Sequence, residues 1–172
     1  KIDQFTLAMH KAIKATVDKT IVTLGINPTR PDTGFGYIHY EGEGLVKHVL
    51  SFKEKPELDA AKHMIEQGEH AWNGGMFILQ SKTWLDAIEQ SNSKIYESVE
   101  KAWQNKDIDQ WFERPDEEIF KQSPSDSIDY AVMEKTKDLG IDVKLVVLEA
   151  DWSDLGSFDA LDEIEEKDNL KL

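Results

Sequence analysis

Apolar positions Ile2, Phe5, Met9 and Ile13 recur at helical spacing and predict an opening helix with these four residues as its buried stripe. The β-branched run 20–24 (TIVTL) predicts a strand ending at Gly25. "NPTRPDTGFG", residues 27–36, is a turn-rich loop with two prolines and two glycines. Residues 37–40 and 45–52 read as strands flanking "EGEG", a hairpin-like connection. Pro56 is placed at the first position of a helix that buries Leu58, Ala61 and Ile65 and stops at Gly68. Residues 76–79 predict a short buried strand. Trp84, Leu85 and Ile88 mark one helix, and Ile95, Val99 and Ala102 another with Ser93 as its cap. Ser127 caps a helix burying Ile128, Ala131 and Val132, residues 143–148 form a buried strand, and a last helix starts at Ser157.

Alternating strands and helices argue for an α/β fold with some parallel pairing. No repeat, low-complexity tract or linker divides the chain, so residues 1–172 are expected to form a single unit. The pattern opens directly inside a helix at Lys1, with the first Met at position 9, which reads as the interior of a longer chain.

Charge narrows the partners. The formal net charge is −14, from 34 Asp+Glu against 20 Lys+Arg. Only Arg30 and Arg114 supply guanidinium groups. Nucleic-acid backbones need clustered cations, so no nucleic-acid partner is expected. A small phosphorylated ligand stays open, because one Lys and a metal can hold it locally. The chain has no cysteine, which excludes disulfides and thiol chemistry and fits a cytoplasmic location. No apolar run has membrane-spanning length, so no membrane partner is expected.

Four polar insertions carry the candidate chemistry. In "PDTGFGYI", Gly34 and Gly36 suit either a tight turn or a close approach to a ligand. In "SFKEKPE", Glu54 can accept from hydroxyls and Lys55 can meet a phosphate. A solvated strand–helix junction explains the same pair, and on a continuing strand the two would point to opposite sides. In "AWNGGMFIL", Asn73 suits sugar hydroxyls or a turn. In "ADWSDLGSFDAL", Asp154 follows a buried strand and lies too early to cap the helix from Ser157. It is either turn chemistry or a carboxylate aimed at a ligand or metal.

In order and spacing, "TLGINPTRPDTGFGYI", "FKEKPE", "WNGGMFIL", "SIDYAVMEKT" and "WSDLGSFDAL" closely resemble the mannose-1-phosphate guanylyltransferases, from the first helix to Leu161. The resemblance implies a Rossmann-like, GT-A-type nucleotidyltransferase fold with a mixed sheet. It also implies a reaction: GTP and mannose 1-phosphate give GDP-mannose and pyrophosphate, with Mg²⁺ as cofactor. By the same resemblance Gly34 and Gly36 approach the sugar, Glu54 binds sugar hydroxyls, Lys55 binds the sugar phosphate and Asn73 the mannose. Asp129 joins the substrate contacts, although a first-turn acid also suits the helix dipole. Asp154 becomes the metal-ligating carboxylate, and it and Lys55 the catalytic pair. The family commonly has Tyr at Phe35, Ser at Gly74 and a small or apolar residue at Lys53.

The family's Gly-rich, Arg-containing nucleotide loop and a second metal-binding Asp do not occur in these residues. The chain therefore resembles the C-terminal, sugar-binding half of the domain and is expected to be inactive alone. Half a sheet would leave an exposed edge, favouring a homo-oligomer. A transferase for another hexose 1-phosphate and a non-catalytic binding or assembly module are the competing expectations.

Overall fold

A computed structural model describes residues 2–150 and 152–154. Its centre is β1, Thr20–Ile26, a β-branched strand buried along its whole length. Val22, Leu24 and Ile26 pack toward the first helix, whereas Ile21 joins a second cluster with Ala87, Ile88, Val132 and Met133. Burial on both faces explains the unbroken apolar run, since no side of the strand meets water.

Around β1 the remaining strands are β2 (Tyr37–Glu41), β3 (Val46–Lys53), β4 (His70–Leu79) and β7 (Asp142–Val147). They follow the order β1-β4-β2-β3-β7 and close on themselves, because β7 pairs with both β1 and β3. Only β1–β7 is parallel, so the sheet is mixed as expected. The closed ring overturns the expectation of an exposed edge among these five strands. Its interior is narrow: Ile38, Ala71 and Leu145 fill it. Gly25 stands inside β1 and does not end it. A Cβ there would overlap Leu145 Cδ1 and lie 2.9 Å from Ala71 Cβ, so the missing side chain lets the ring close.

Helix α1, Ile2–Ala15, faces the sheet with Ala8 and Ala12, not with the predicted stripe. Met9 packs beside them, but Ile2 is 84% exposed and Ile13 56%. Small residues win because they let the helix backbone approach β1 closely.

Helix α2, Leu58–Gln67, takes Glu57 as its N-cap, so Pro56 precedes the helix and is buried ahead of it. Gly68 ends α2 as predicted, in the left-handed conformation (φ 77°), its N–H donating to Ile65 O. Helices α3 (Ser81–Ser91) and α4 (Ser93–Gln104) meet at Asn92, which takes the cap position assigned to Ser93. A small hairpin of β5 (Asp107–Ile108) and β6 (Glu113–Arg114) and the one-turn helix α5 (Glu117–Phe120) were not legible in the pattern. Helix α6, Ile128–Ala131, is capped by Ser127, whose hydroxyl accepts the Tyr130 N–H, and a 3₁₀ turn, Met133–Lys135, follows. The helix from Ser157 lies outside the described residues. Among those residues no helix is long and apolar enough to cross a membrane.

Candidate functional site

The site forms where β4 departs from regular pairing. Thr23 of β1 faces Phe77, but Gly25 faces Asn73, so four steps of β4 oppose two of β1. The extra residues form a bulge, with Gly75 at φ 66°. "NGG" is therefore not a turn before a strand but a bulge inside one ten-residue strand. Turn and bulge both need glycine's positive φ, which is why the sequence does not separate them. Gly74 points the other way: a Cβ there would sit 2.8 Å from the Leu24 carbonyl oxygen of β1.

The bulge aims Asn73 at the site and ties down its amide. Its Oδ1 accepts from the Gly75 N–H at 3.1 Å and from Thr23 Oγ1 at 3.4 Å. Its Nδ2 donates to Asp129 Oδ1 at 3.0 Å. Its backbone N–H donates to Gly36 O at 2.7 Å. One amide N–H remains for a ligand, so Asn73 positions Asp129 as much as it offers hydrogen bonds outward.

Strand β3 stops at Lys53, and Lys55 adopts φ 44°, a left-handed conformation unusual for a lysine. Strand alternation is broken there, so Glu54 and Lys55 do not diverge. Lys55 Nζ lies 3.8 Å from Glu54 Oε1. The Glu54 side chain is 11% exposed and that of Lys55 59%, an inward acid beside an outward cation. Gly36 makes room for this acid: a Cβ there would lie 2.5 Å from Glu54 Oε2, 3.0 Å from Phe52 Cζ and 3.3 Å from Asn73 Cβ. Gly36, Glu54, Asn73, Lys55 and Asp129 thus lie together.

Burial raises the Glu54 pKa above the ordinary carboxylate range, reinforced by the nearby charges of Asp129 and Glu134 and opposed by Lys55. Asp129 is raised too, first by burial, while the Asn73 hydrogen bond and Lys55 act against it. Inward-facing carboxylates of this kind are acceptors for hydroxyl donors, and the exposed Lys55 is a point charge for a phosphate. Lys55 also lines an open groove of about 640 Å³ with Pro31, Asp32, Thr33 and Glu57.

Gly34 stands apart from this cluster. Its N–H donates to Asp32 Oδ1 at 2.8 Å, and it is exposed in the loop, which supports the turn reading. Asp32 is bound to Arg30, and its backbone N–H and carbonyl both meet the Tyr37 hydroxyl at 3.0 Å. Asp154 is exposed at the end of the described chain. Two residues earlier, the Trp152 ring meets Phe35 edge-on at 5.7 Å, and Phe35 meets Trp72 at 4.9 Å. These rings hold the segment carrying Asp154 against the loop of Gly34 and Gly36.

A single carboxylate oxygen suits Mg²⁺, which is commonly held by one or two carboxylates with substrate phosphates and water. No group of three or more metal-ligating side chains occurs among the described residues. The sequence reading missed Glu134, whose carboxylate accepts the Glu54 N–H at 3.1 Å. Its one signal was its place in "SIDYAVMEKT", five residues after Asp129.

The inward Glu54 and half-buried Asp129 beside the exposed Lys55 sit on a mixed sheet flanked by helices, the architecture of an α/β protein. The profile of the nucleotidyl transferase family matches residues 2–170, and the chain belongs to that family. It is 41% identical over 167 residues to a putative mannose-1-phosphate guanylyltransferase of Vibrio cholerae, covering 95% of this chain and 35% of the relative. It is 40% identical over 164 residues to the xanthan biosynthesis protein XanB of Xanthomonas campestris, covering 95% and 34%. The chain thus spans about a third of the length of these curated relatives. Among solved structures, one described as mannose-1-phosphate geranyltransferase from Thermus thermophilus superposes with a TM-score of 0.81 at 29% identity, covering 96% of this chain and 46% of that one. A mannose-6-phosphate isomerase from Helicobacter pylori gives a TM-score of 0.78 at 30% identity, covering 88% and 59%. The nucleotidyltransferase fold expected from the sequence is the fold of this chain.

Proposed function

We propose that this chain is the sugar-phosphate-binding portion of a Mg²⁺-dependent mannose-1-phosphate guanylyltransferase, making GDP-mannose as a polysaccharide precursor in the cytoplasm. The observation that carries the proposal is the left-handed Lys55, which puts a buried acid and an exposed cation side by side next to Asn73 and Asp129. A sugar phosphate has the matching polarity: hydroxyl donors at one end and a dianion at the other.

Glu54 and Asp129 accept from sugar hydroxyls, and the free Asn73 N–H fixes the orientation of the ring. Lys55 takes the phosphate in the groove it lines and offsets its charge. Held so, a phosphate oxygen of the sugar attacks the α-phosphorus of GTP, forming the new P–O bond as pyrophosphate leaves. Such chemistry depends mainly on positioning and electrostatics. Asp154 would contribute a carboxylate oxygen to Mg²⁺, whose chemistry there is to neutralise phosphate charge.

These 172 residues bind the sugar phosphate without turning it over on their own, because no Gly-rich nucleotide loop is among them. Calorimetry with mannose 1-phosphate, and with glucose 1-phosphate as competitor, tests the reading. Saturable binding that favours the mannose compound and disappears in Lys55→Ala is expected. Equal or tighter binding of glucose 1-phosphate would shift the assignment to another hexose, and no binding of either would remove it. GDP-mannose formation by the isolated chain would overturn the statement on turnover.

A further inference from the structure

The Glu54–Lys55 bend needs an explanation that neither residue supplies. The last register pair of β3 with β2 is Lys53 with Tyr37. One residue on, the Glu54 N–H has left the ladder and, in an exposed position, is open to another acceptor. Glu134 supplies it across 80 residues of sequence, its Oε1 accepting at 3.1 Å. The same oxygen lies 4.0 Å from Lys53 Nζ.

The Glu134 side chain is firmly placed. Its neighbours Val132 and Met133 are buried at 0% and 2% exposure, and the Thr136 hydroxyl donates back to Met133 O at 3.1 Å. The 3₁₀ turn therefore presents the carboxylate from a packed base. That position carries an electrostatic cost, because a third acid beside Glu54 and Asp129 disfavours the charge of both. A carboxylate set on a packed base and bonded to a backbone N–H beside a candidate site points to a positional role.

We propose that Glu134 is a positioning residue: its carboxylate caps the end of β3 at the Glu54 N–H and so holds the left-handed Lys55 that turns Glu54 and Lys55 toward the same ligand. The ligand in this statement, a sugar phosphate, rests on the function proposed above. The hydrogen bond and its effect on the bend do not.

The test compares Glu134→Ala with Glu134→Gln, whose amide oxygen still accepts an N–H. Two readouts are taken: the affinity for mannose 1-phosphate, and the hydrogen-exchange protection of the Glu54 amide by NMR. Glu134→Ala is expected to weaken binding about tenfold, the worth of one hydrogen bond to a charged group, and to strip protection from the Glu54 amide. Glu134→Gln is expected to stay within about threefold of wild type and keep that protection. Thermal unfolding confirms that both variants fold. Should Glu134→Ala prove unfolded, Glu134→Gln alone decides, since a tenfold loss in it would mean that charge and not the hydrogen bond matters and would overturn the proposal. A folded Glu134→Ala with unchanged affinity or an unchanged Glu54 amide overturns it equally. If wild type binds no mannose 1-phosphate, the functional reading fails, and the Glu54 amide in the two variants still decides the role of Glu134.

Discussion

Asn73 Nδ2 donates to Asp129 Oδ1 across 3.0 Å and so joins the bulge of β4 to the first turn of α6, 56 residues away. Replacing the amide by an acid sets two carboxylates against each other. Asn73→Asp is expected to lose about 1–3 kcal/mol at pH 7, the cost of a lost partner for a half-buried acid. Part of that loss should return at a lower, mildly acidic pH, because the Asp129 carboxyl is already raised by burial and one of the two can take up a proton. Urea denaturation at the two pH values measures both effects.

Glu54 lowers stability as it ionises. Its pKa is raised in the folded protein, chiefly by burial. The folded state therefore holds a proton more tightly than the unfolded chain. Stability from this group is complete below the unfolded carboxylate value and is lost as pH rises through the higher folded value. Glu54→Gln removes that loss. It should be as stable as wild type at pH 7 or more so, with a flatter stability profile above pH 4.5, the ordinary value. Its affinity for mannose 1-phosphate should fall.

His70 has the opposite sign. It is buried, its Nδ1 has no hydrogen-bond partner, and its ring stacks on His39 with centroids 4.5 Å apart. Burial first, and the His39 charge second, lower its pKa from the ordinary 6.5. The unfolded chain then binds the proton more readily, so stability is complete above pH 6.5 and falls as pH drops through the folded value. His70→Leu should reduce this acid-side loss, read as the difference in urea midpoint between pH 7.5 and a value near pH 5.

Lys55 separates strain from charge. At φ 44° a side chain is disfavoured, whereas glycine is not. Lys55→Gly should be about 1 kcal/mol more stable than Lys55→Ala by chemical denaturation. Both should lose affinity for mannose 1-phosphate, since both lack the ammonium group. Equal stability of the two variants would show that the bend carries no strain.

Gly36 tests the fit of Glu54. A methyl at this position would reach Glu54 Oε2, Phe52 and the Asn73 Cβ together. Gly36→Ala is expected to cost about 1–3 kcal/mol, the usual penalty for overpacking, and to weaken sugar-phosphate binding by displacing the Glu54 carboxylate. Denaturation and calorimetry report the two separately.

A strand was legible where burial on both faces forces a β-branched run, as at β1, and helix ends were legible where a residue has one job, as at Gly68 and Ser127. The face of α1 was misread because close helix–sheet approach selects Ala8 and Ala12 over the larger Ile2 and Ile13. Glu54, Lys55, Asn73 and Asp129 stood out as chemistry, but their meeting did not. A lysine gives no sign that it will adopt a left-handed conformation, and Asn-Gly-Gly reads the same in a turn and in a bulge. Glu134 was invisible because its partner is a backbone N–H fixed only by the tertiary fold.

The closure of the strand ring also sets the order of events during synthesis. β1 pairs in parallel with β7, Thr20 opposite Asp142, so its partner is made long after it. At about 5–20 residues per second, one side of a strand that ends up wholly buried waits roughly 6–24 s for its neighbour. During that interval the nascent chain carries an open, sticky seam. Chaperone occupancy while the ribosome translates residues 26–142 is where this protein's yield in the cell would be decided.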